Sequence, residues 1–395
     1  MLRNNIDNSQ PCLPIKFNAD IQVTYLSRLK FNLKNKVREN ARILHCDTNA
    51  PSNVFLVGSG NRMKQNFIPA FKCLDYPVVI SGIYSRTSQH AAEVGELWGI
   101  ESQAELECAA LANADVIVIS ITTRYVSDIL KKIHRFTDTK NKVLIIDTPV
   151  FEGLKHIQSA YLLRKYQNTI VTEDYMNFPQ FAIVRDIIKQ GKLGNIKKIE
   201  MHNIGYRYHG LATARSFLKF SLVRSACYQD KALHYQVNND CEIVVVEPYQ
   251  KLDGYLYIKG DKGTLLYCPQ EFKNAKEIIL QRPADYSLTE QYLENSFVGF
   301  DLVGPEGQKL ILAPLFESVK SASFFSKEDF NTFKTMGLVE VLNSTFKYNI
   351  NSQYGFINGL YDSFVTKVVH SRRTFGLPIL KIFHPIIKYF SALRN

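Results

Sequence analysis

The sequence predicts an α/β protein in which a Rossmann-type, doubly wound parallel sheet is joined to an α+β domain with a mostly antiparallel sheet. Two observations support this prediction. From residue 54 to about residue 150, short and continuously apolar strands alternate with helix-like segments, as expected when helices cover both faces of a parallel sheet. Beyond Asp240, short strands follow one another around glycine-containing turns, which is typical of antiparallel hairpins.

The elements of the first sheet can be assigned from these apolar runs. Strands are expected at residues 54–57, 78–84, 116–121 and 143–146. Helices are expected at residues 62–74, around 91–97, and at 104–112 and 126–136. The two patterns interleave, so the segment is a series of βαβ units.

The second part begins with a helix at residues 152–166 and a strand at 169–172. A helix follows between Pro179, which suits a first helical turn, and Gly191, which suits a C-terminal stop. A strand at 196–206 and a helix at 211–222 come next, and further strands are expected at 241–247, 254–258 and 263–267.

A chain of 395 residues is long for a single core, and we expect four parts. They are a basic N-terminal extension (1–50), a dinucleotide-binding Rossmann domain (51–150), an α+β substrate and oligomerisation domain (151–350) and a basic helical tail (351–395). The tail has the composition of a segment that lies on an anionic membrane. The favoured alternative is a helix docked on its own domain or on a second subunit, since Pro378 and Pro385 interrupt the pattern.

The composition argues against several classes of protein. The net charge of +11 is spread over the whole chain without an aromatic-basic motif, so nucleic acid is not an expected partner, and an anionic cofactor explains part of the excess. No run of about 18 apolar residues predicts a membrane-spanning helix. The polar N-terminus lacks a signal-peptide core, which favours the cytoplasm. Seven scattered cysteines and the spacing of the histidines predict no disulfide framework and no metal site.

The turn after the first strand has the pattern of a pyrophosphate cradle. Gly58 suits the tight turn, Gly60 allows close approach of the backbone, and the following helix begins where it can stabilise phosphate charge. The segment that would contact the cofactor comprises Gly58, Ser59, Gly60, Asn61 and Arg62. Met63 stands at the third glycine position of the fingerprint. The alternative is a tight turn that binds no ligand.

The end of the second strand favours NADP(H) over NAD(H). It has the sequence Ser85-Arg86-Thr87, and no acidic residue that could accept ribose hydroxyls stands between Val78 and Gln89. A guanidinium group flanked by hydroxyl donors matches a 2′-phosphate. The alternative is that Arg86 is a solvated loop residue.

The order of these landmarks resembles the glucose–fructose oxidoreductase / inositol dehydrogenase (Gfo/Idh/MocA) family. The segment 115–123 looks like the family's fourth strand, which implies cofactor contacts at Thr122 and Thr123. Asp147-Thr148-Pro149 stands where the family has Glu-Lys-Pro, implying a cofactor contact at Asp147 and a catalytic role at Thr148. The turn 191–196 and the hairpin 258–265 resemble two later motifs of the family. The resemblance also implies a homo-oligomer.

The sequence departs from the family pattern at its catalytic positions. Thr148 replaces the lysine that orients the substrate hydroxyl, and Thr123 replaces a proline. Ser127 stands where a histidine is frequent. His209 falls where the catalytic base would be, but Gly205 occupies the matching aspartate position.

The segment around His209 holds the candidate catalytic residues. An imidazole titrates near neutral pH and can act as acid or base. Tyr206 or Tyr208 could donate a proton to a reduced carbonyl or imine, and Arg207 or Arg215 could hold a substrate carboxylate or phosphate. The alternative is a cluster of satisfied polar groups at the start of a helix.

The function expected from the sequence is hydride transfer by an NADP(H)-dependent oxidoreductase. Its small-molecule substrate would be a biosynthetic sugar, sugar nucleotide or cyclic imine, and an imine reduction survives the loss of the lysine best. Two alternatives stay open: a catalytically degenerate nucleotide-binding protein with a structural or regulatory role, and a membrane-surface or assembly protein that works through its basic tail.

Overall fold

The computed structural model describes most of the chain beyond residue 50. The described ranges are 51–106, 108–150, 159–205, 207–237, 240–247, 254–269, 283–294, 296–313, 315–322, 329–346 and 354–371. The predicted N-terminal extension and the basic segment after Ser371 therefore lie outside the described residues, and so does most of the helix predicted at 152–166.

The first sheet contains six parallel strands in the order β3-β2-β1-β4-β5-β6. The strands are β1 (Ser52–Val57), β2 (Val78–Tyr84), β3 (Ser102–Gln103), β4 (Val116–Ile119), β5 (Val143–Asp147) and β6 (Asn168–Thr172). This order places the switch between the two halves of the sheet at β1 and β4, which is the arrangement of a Rossmann fold. The predicted parallel, doubly wound sheet is confirmed.

Helices cover both faces of this sheet, because successive side chains of each strand point in opposite directions. Val54 and Leu56 pack on one face against Met63 and Phe67, whereas Phe55 packs on the other face. The helical elements are a π-helix at Met63–Phe67 and α-helices at Ile68–Lys72, Ser88–Trp98, Cys108–Asn113, Val126–Phe136 and Ala160–Leu163.

The first sheet extends beyond the limit predicted at residue 150. Strand β6 pairs with β5 and completes the sheet. Two later helices, Leu315–Ala322 and Asp329–Phe346, also return to it, since Val319 and Leu338 belong to the core that contains Val54. The boundary at residue 150 is therefore corrected: the layer around the first sheet is built from residues that are far apart in the sequence.

Within the described residues, the second sheet has nine strands in the order β15-β14-β13-β12-β11-β7-β10-β9-β8. The strands are β7 (Ile196–His202), β8 (Val223–Gln229), β9 (Ala232–Val237), β10 (Cys241–Val246), β11 (Tyr255–Gly260), β12 (Thr264–Cys268), β13 (Tyr286–Leu293), β14 (Ser296–Gly304) and β15 (Gly307–Leu312). Only β7–β10 and β12–β13 pair in parallel among these described strands, so the predicted mostly antiparallel sheet is confirmed.

Among the described helices, Pro179–Lys189, Arg207–Phe217 and Phe356–Ser371 contribute to the core of the second sheet. Phe316 and Phe333, from helices Leu315–Ala322 and Asp329–Phe346, belong to the same core. Helix Phe356–Ser371 begins the predicted tail, and its Tyr361, Val365 and Val369 are buried in the core. The docked-helix interpretation therefore holds for this part of the tail. Within the described residues, no helix has the length and apolarity needed to cross a membrane.

A fully buried ion pair joins this C-terminal helix to helix Arg207–Phe217. Arg215 pairs with Asp362, and both side chains are 0% exposed. The guanidinium group also donates to the carbonyl oxygens of Phe220 and Ser221, each at 2.8 Å, and Tyr354 donates to Asp362 at 3.0 Å. The hypothesis that Arg215 binds substrate is corrected, because every part of its side chain is enclosed within the protein.

Replacing Arg215 by methionine is expected to destabilise the protein by about 3–5 kcal/mol, because Asp362 is left as an uncompensated buried charge. A urea titration followed by circular dichroism measures the loss. The matched control is Arg224→Met, which removes an arginine from the exposed pair with Asp240 and is expected to have little effect. Equal stability of the two variants would contradict this account of the buried pair.

Candidate functional site

The glycine turn after β1 has the geometry of a phosphate cradle. Gly58 has a φ of +115°, and a Cβ atom there would lie 2.1 Å from the carbonyl oxygen of Ser120 at the end of β4. Its N–H donates to the carbonyl oxygen of Tyr84 at 2.7 Å, so three strand ends meet at this turn. A Cβ atom at Gly60 would meet no atom within 4 Å. The backbone of Gly60 therefore faces open space, as close approach of a pyrophosphate requires.

A positively charged surface lies beside this turn. The guanidinium carbon of Arg86 stands 3.5 Å from the ring centroid of Tyr125, and that of Arg124 stands 4.9 Å from the same centroid. The hydrogen bond with Arg86, followed by the nearby charges of the two arginines, lowers the pKa of Tyr125. Ser85 is half-buried and Thr87 is exposed. The end of β2 therefore presents two cations and hydroxyl groups, a set that suits a phosphate group.

The loop between β4 and Tyr125 supplies two further residues that were predicted to contact the cofactor. Thr122 is exposed, and Thr123 is half-buried in the short 3-10 helix Thr123–Tyr125. Both lie beyond the carboxyl end of β4, on the edge of the sheet where the glycine turn lies.

Arg62 and Asp147 form an ion-pair network at the carboxyl ends of the strands. Arg62 Nε lies 3.3 Å from Asp147 Oδ2, and Arg62 Nη1 lies 2.8 Å from Asp174 Oδ2. Asp147 also accepts from the hydroxyls of Ser120 at 2.9 Å and Thr172 at 3.1 Å. Burial alone would lower the pKa of Arg62, but the two carboxylates raise it overall. The network fixes the side chains at the ends of β4, β5 and β6.

A buried pair of Glu173 and His209 lies next to this network. Glu173 follows β6, and its carboxylate oxygens stand 2.7 Å and 2.9 Å from Nδ1 of His209. The ring of Tyr175 stacks on the imidazole with a centroid separation of 4.2 Å and an interplanar angle of 16°. Burial lowers the pKa of His209 to about 3 and raises that of Glu173 well above its usual range. Both shifts favour the uncharged forms, and a carboxyl group that donates its proton to Nδ1 leaves the ring proton on Nε2.

Tyr208 lies beside this pair and connects it to β5. Its ring centroid stands 4.2 Å from that of His209, and its side chain shares a hydrogen bond with Thr148. Burial first, and then the charge of Glu173, raise the pKa of Tyr208. The phenol therefore stays protonated and is available as an O–H donor.

The structure brings together five residues that the sequence predicted for the site: Arg62, Asp147, Thr148, Tyr208 and His209. Arg207 is the first residue of the helix that carries Tyr208 and His209, and Tyr206 lies outside the described residues. Arg215 lies elsewhere, buried against the C-terminal helix.

Three ionisable residues of the site, Glu173, Asp174 and Lys334, were not predicted from the sequence. Glu173 and Asp174 directly follow the apolar strand β6, and acids at that position were a signal that could have been used. Lys334 comes from helix Asp329–Phe346, and its charge acts on both Glu173 and His209. No local pattern could have indicated Lys334, since it lies more than a hundred residues from the other site residues.

One group of described side chains has the spacing of metal ligands. Glu173, Asp174 and His209 each offer one ligand atom, and these atoms lie within 4.8 Å of one another. The same atoms are engaged by the Glu173–His209 hydrogen bond and by Arg62, and a second cation, Lys334, lies close by. Two positive charges oppose a divalent ion, so we assign no metal to this group.

The pH dependence of stability should report the Glu173–His209 pair. Unfolded histidine gains a proton below about pH 6.5 and unfolded glutamic acid below about pH 4.3. Folded His209 takes up a proton only near pH 3, while folded Glu173 keeps its proton well above its usual range. Between about pH 4.3 and 6.5, the unfolded form binds one proton on histidine and the folded form binds one on Glu173, so the free energy of unfolding does not change with pH. Above pH 6.5, stability should fall with rising pH, by up to about 1.4 kcal/mol per pH unit, until folded Glu173 releases its proton. It should also fall below pH 4.3.

Urea titrations of the wild type and of the double variant Glu173→Gln, His209→Gln measure this effect at each pH. The difference between the two proteins should be flat from about pH 4.3 to 6.5 and decline on both sides. A difference that increases as the pH rises through 6.5 would contradict the assigned shifts.

Comparison with known proteins supports the fold. No protein-family model matches the sequence, and a search among curated proteins finds no match. The structure is similar to an oxidoreductase from Agrobacterium radiobacter in complex with NAD+, L-tartaric acid and magnesium (TM-score 0.59, 13% identity, 82% of this chain and 96% of that chain). It is also similar to a levoglucosan dehydrogenase in complex with NADH and levoglucosan (TM-score 0.58, 11% identity, 82% of this chain and 96% of that chain). A further neighbour is a 3-ketoreductase from Actinomadura kijaniata in complex with NADP and TDP-benzene (TM-score 0.55, 13% identity, 82% of this chain and 98% of that chain). The chain thus has the two-sheet fold of these oxidoreductases, which is the fold that the resemblance to the Gfo/Idh/MocA family implied.

Proposed function

We propose that the protein is an NADP(H)-dependent oxidoreductase that transfers a hydride to or from a small polar substrate. The observation that supports this proposal is the Glu173–His209 pair, which lies at the carboxyl ends of the parallel strands, near the glycine turn, and would serve as the proton donor. Ligands of doubly wound sheets bind at this edge, next to the switch point between β1 and β4.

The choice of NADP(H) rests on the two arginines around Tyr125. Arg86 and Arg124 bring two positive charges to the end of β2, where a ribose 2′-phosphate would lie. No acidic residue stands between Val78 and Gln89, so the contact to the ribose hydroxyls that favours NAD(H) is missing there. The similar 3-ketoreductase was solved with NADP, whereas two other neighbours hold NAD+ or NADH, so the fold itself accommodates either cofactor. The preference therefore depends on the side chains of this chain.

The bound nicotinamide would supply or accept the hydride. The residues of the chain would handle the proton. During reduction, Nε2 of His209 gives its proton to the substrate oxygen or nitrogen, while the proton shared with Glu173 settles on Nδ1. The pair ends as a neutral imidazole and a carboxylate, and the reverse movement serves oxidation. Tyr208, held by Thr148, donates a hydrogen bond to a neighbouring polar group of the substrate.

The substrate class follows from the polar character of the site. The hydroxyl groups of Thr148 and Tyr208 and the imidazole of His209 suit a compound with several hydroxyls, such as a sugar or a sugar nucleotide. A cyclic imine also fits, since its reduction requires one proton from His209. The resemblance to the family implies a homo-oligomer, which light scattering of the purified protein would test.

Arg86→Ala is expected to weaken NADPH binding by about 10- to 100-fold, the effect of losing a hydrogen bond to a charged phosphate group. NADH affinity should stay unchanged, because NADH lacks the 2′-phosphate. Titration of cofactor fluorescence measures both affinities. Arg164→Ala serves as the control, since Arg164 is an exposed residue at the end of helix Ala160–Leu163. An unchanged preference for NADPH in Arg86→Ala would refute the phosphate assignment.

His209→Gln is expected to lower kcat by about 10²- to 10⁴-fold, the usual contribution of a general acid, with cofactor affinity preserved. A substrate is first identified by screening a panel of keto sugars, sugar nucleotides and cyclic imines for compounds that cause NADPH oxidation. The kcat of each variant is then measured with that substrate. Full turnover by His209→Gln would exclude His209 as the proton donor.

The same two measurements separate the alternatives. Binding of NADPH without turnover of any compound in the panel favours a degenerate nucleotide-binding protein. If neither NADPH nor NADH binds, the oxidoreductase proposal fails.

A further inference from the structure

Helix Asp329–Phe346 packs closely against the backbone that follows β6. A Cβ atom at Gly337 would lie 2.5 Å from the backbone carbonyl oxygen of Asp174, so only glycine permits this approach. Asn66, in the helix after the glycine turn, donates to the hydroxyl of Thr335 at 2.9 Å. The middle of the helix therefore has a fixed position relative to both the glycine turn and the end of β6.

Lys334 is three residues before Gly337, which places the two residues on the same face of the helix. Its Nζ lies 5.9 Å from the ring centroid of Tyr175, the ring that stacks on His209. The charge of Lys334 acts on Arg62, Asp147, Glu173 and Asp174, and on His209. The fold thus brings an ammonium group from a distant part of the sequence near the Glu173–His209 pair.

Lys334 has no ion-pair partner within the part of the chain that the structure describes. The neighbouring carboxylates bond to other groups: Asp147 and Asp174 to Arg62, and Glu173 to His209. Burial, and then the charge of Arg62, lower the pKa of Lys334. A half-buried ammonium group that lacks a partner gains free energy when an oxygen ligand arrives.

We propose that Lys334 binds the oxygen of the reacting carbon and stabilises its negative charge during hydride transfer. It thereby supplies the cation that Thr148 cannot supply at the end of β5. The role rests on the proposed function, because it requires a substrate oxygen between Lys334 and His209. As charge builds on that oxygen, Lys334 holds it electrostatically and Nε2 of His209 delivers the proton.

Carbamylation by cyanate, followed by mass spectrometry of the NADP+-saturated protein, tests the lysine directly. Cyanate attacks the neutral amine, so the pH midpoint for Lys334 should lie below the ordinary lysine value of about 10.4. Acetate, a stand-in for the charged oxygen, should slow the reaction at Lys334, whereas the neutral isostere acetamide should not. An ordinary midpoint, or equal effects of acetate and acetamide, would overturn the proposal.

Three variants complete the test, with acetate binding followed through the imidazole NMR signals of His209. Lys334→Met should weaken acetate binding by about tenfold or more, as for loss of one charge-assisted hydrogen bond. It should also raise the pKa of His209, because the charge of Lys334 lowers that pKa. Lys334→Arg keeps the charge and should lose less affinity. Lys320→Met, which breaks a pair with Asp329 outside the site, should change neither quantity.

The two proposals can fail separately. If NADP+ binds and acetate affinity is the same in the wild type and Lys334→Met, the lysine assignment fails while the oxidoreductase proposal stands. If no nicotinamide cofactor binds, yet acetate protects Lys334 in the protein alone, the oxidoreductase proposal fails. The lysine then remains an oxyanion-binding residue of another reaction.

Discussion

Burial of charge at the carboxyl ends of the parallel strands is the constraint on which the rest of the site depends. Glu173 is fully buried and Asp174 nearly so, and neither could remain there without close partners. Arg62 binds Asp174 and Asp147, and His209 binds Glu173, so each of these groups limits the position of its partner. The side chains that would meet a cofactor and a substrate are therefore held in place before either arrives.

Close backbone approaches hold these charges together. Gly58 lets the end of β1 touch Ser120, and Gly337 lets a late helix touch Asp174. Both approaches exclude a side chain, so the two glycines define the distance between the cofactor turn, the end of β6 and the helix that carries Lys334. The geometry of the site is thus set by packing of the backbone as much as by the polar residues themselves.

The sequence allowed the first sheet to be predicted because its signals are local. Strands β1, β2, β4 and β5 are apolar runs followed by helical patterns, and the glycine turn follows directly from β1. The two-residue strand β3 (Ser102–Gln103) is polar and was not predicted. The later features depend on contacts between distant residues. The Arg215–Asp362 pair spans 147 positions and the hydrogen bond from Asn66 to Thr335 spans 269, so neither has a local pattern that would indicate it. The limit predicted at residue 150 was wrong for the same reason, since helix Asp329–Phe346 returns to the first sheet.

Where the sequence departs from the pattern of the family it resembles, polar groups from other elements surround His209. At Gly205 a Cβ atom would lie 2.9 Å from the Cα of Gly210, which leaves no room for an aspartate side chain. His209 nevertheless has a carboxylate partner, because Glu173 reaches it from the end of β6. Thr148 carries no charge but binds Tyr208, and a lysine acts on the site from another helix. A histidine bonded to a carboxyl group, with a phenol and an ammonium group nearby, is the arrangement on which the proposed proton transfer depends.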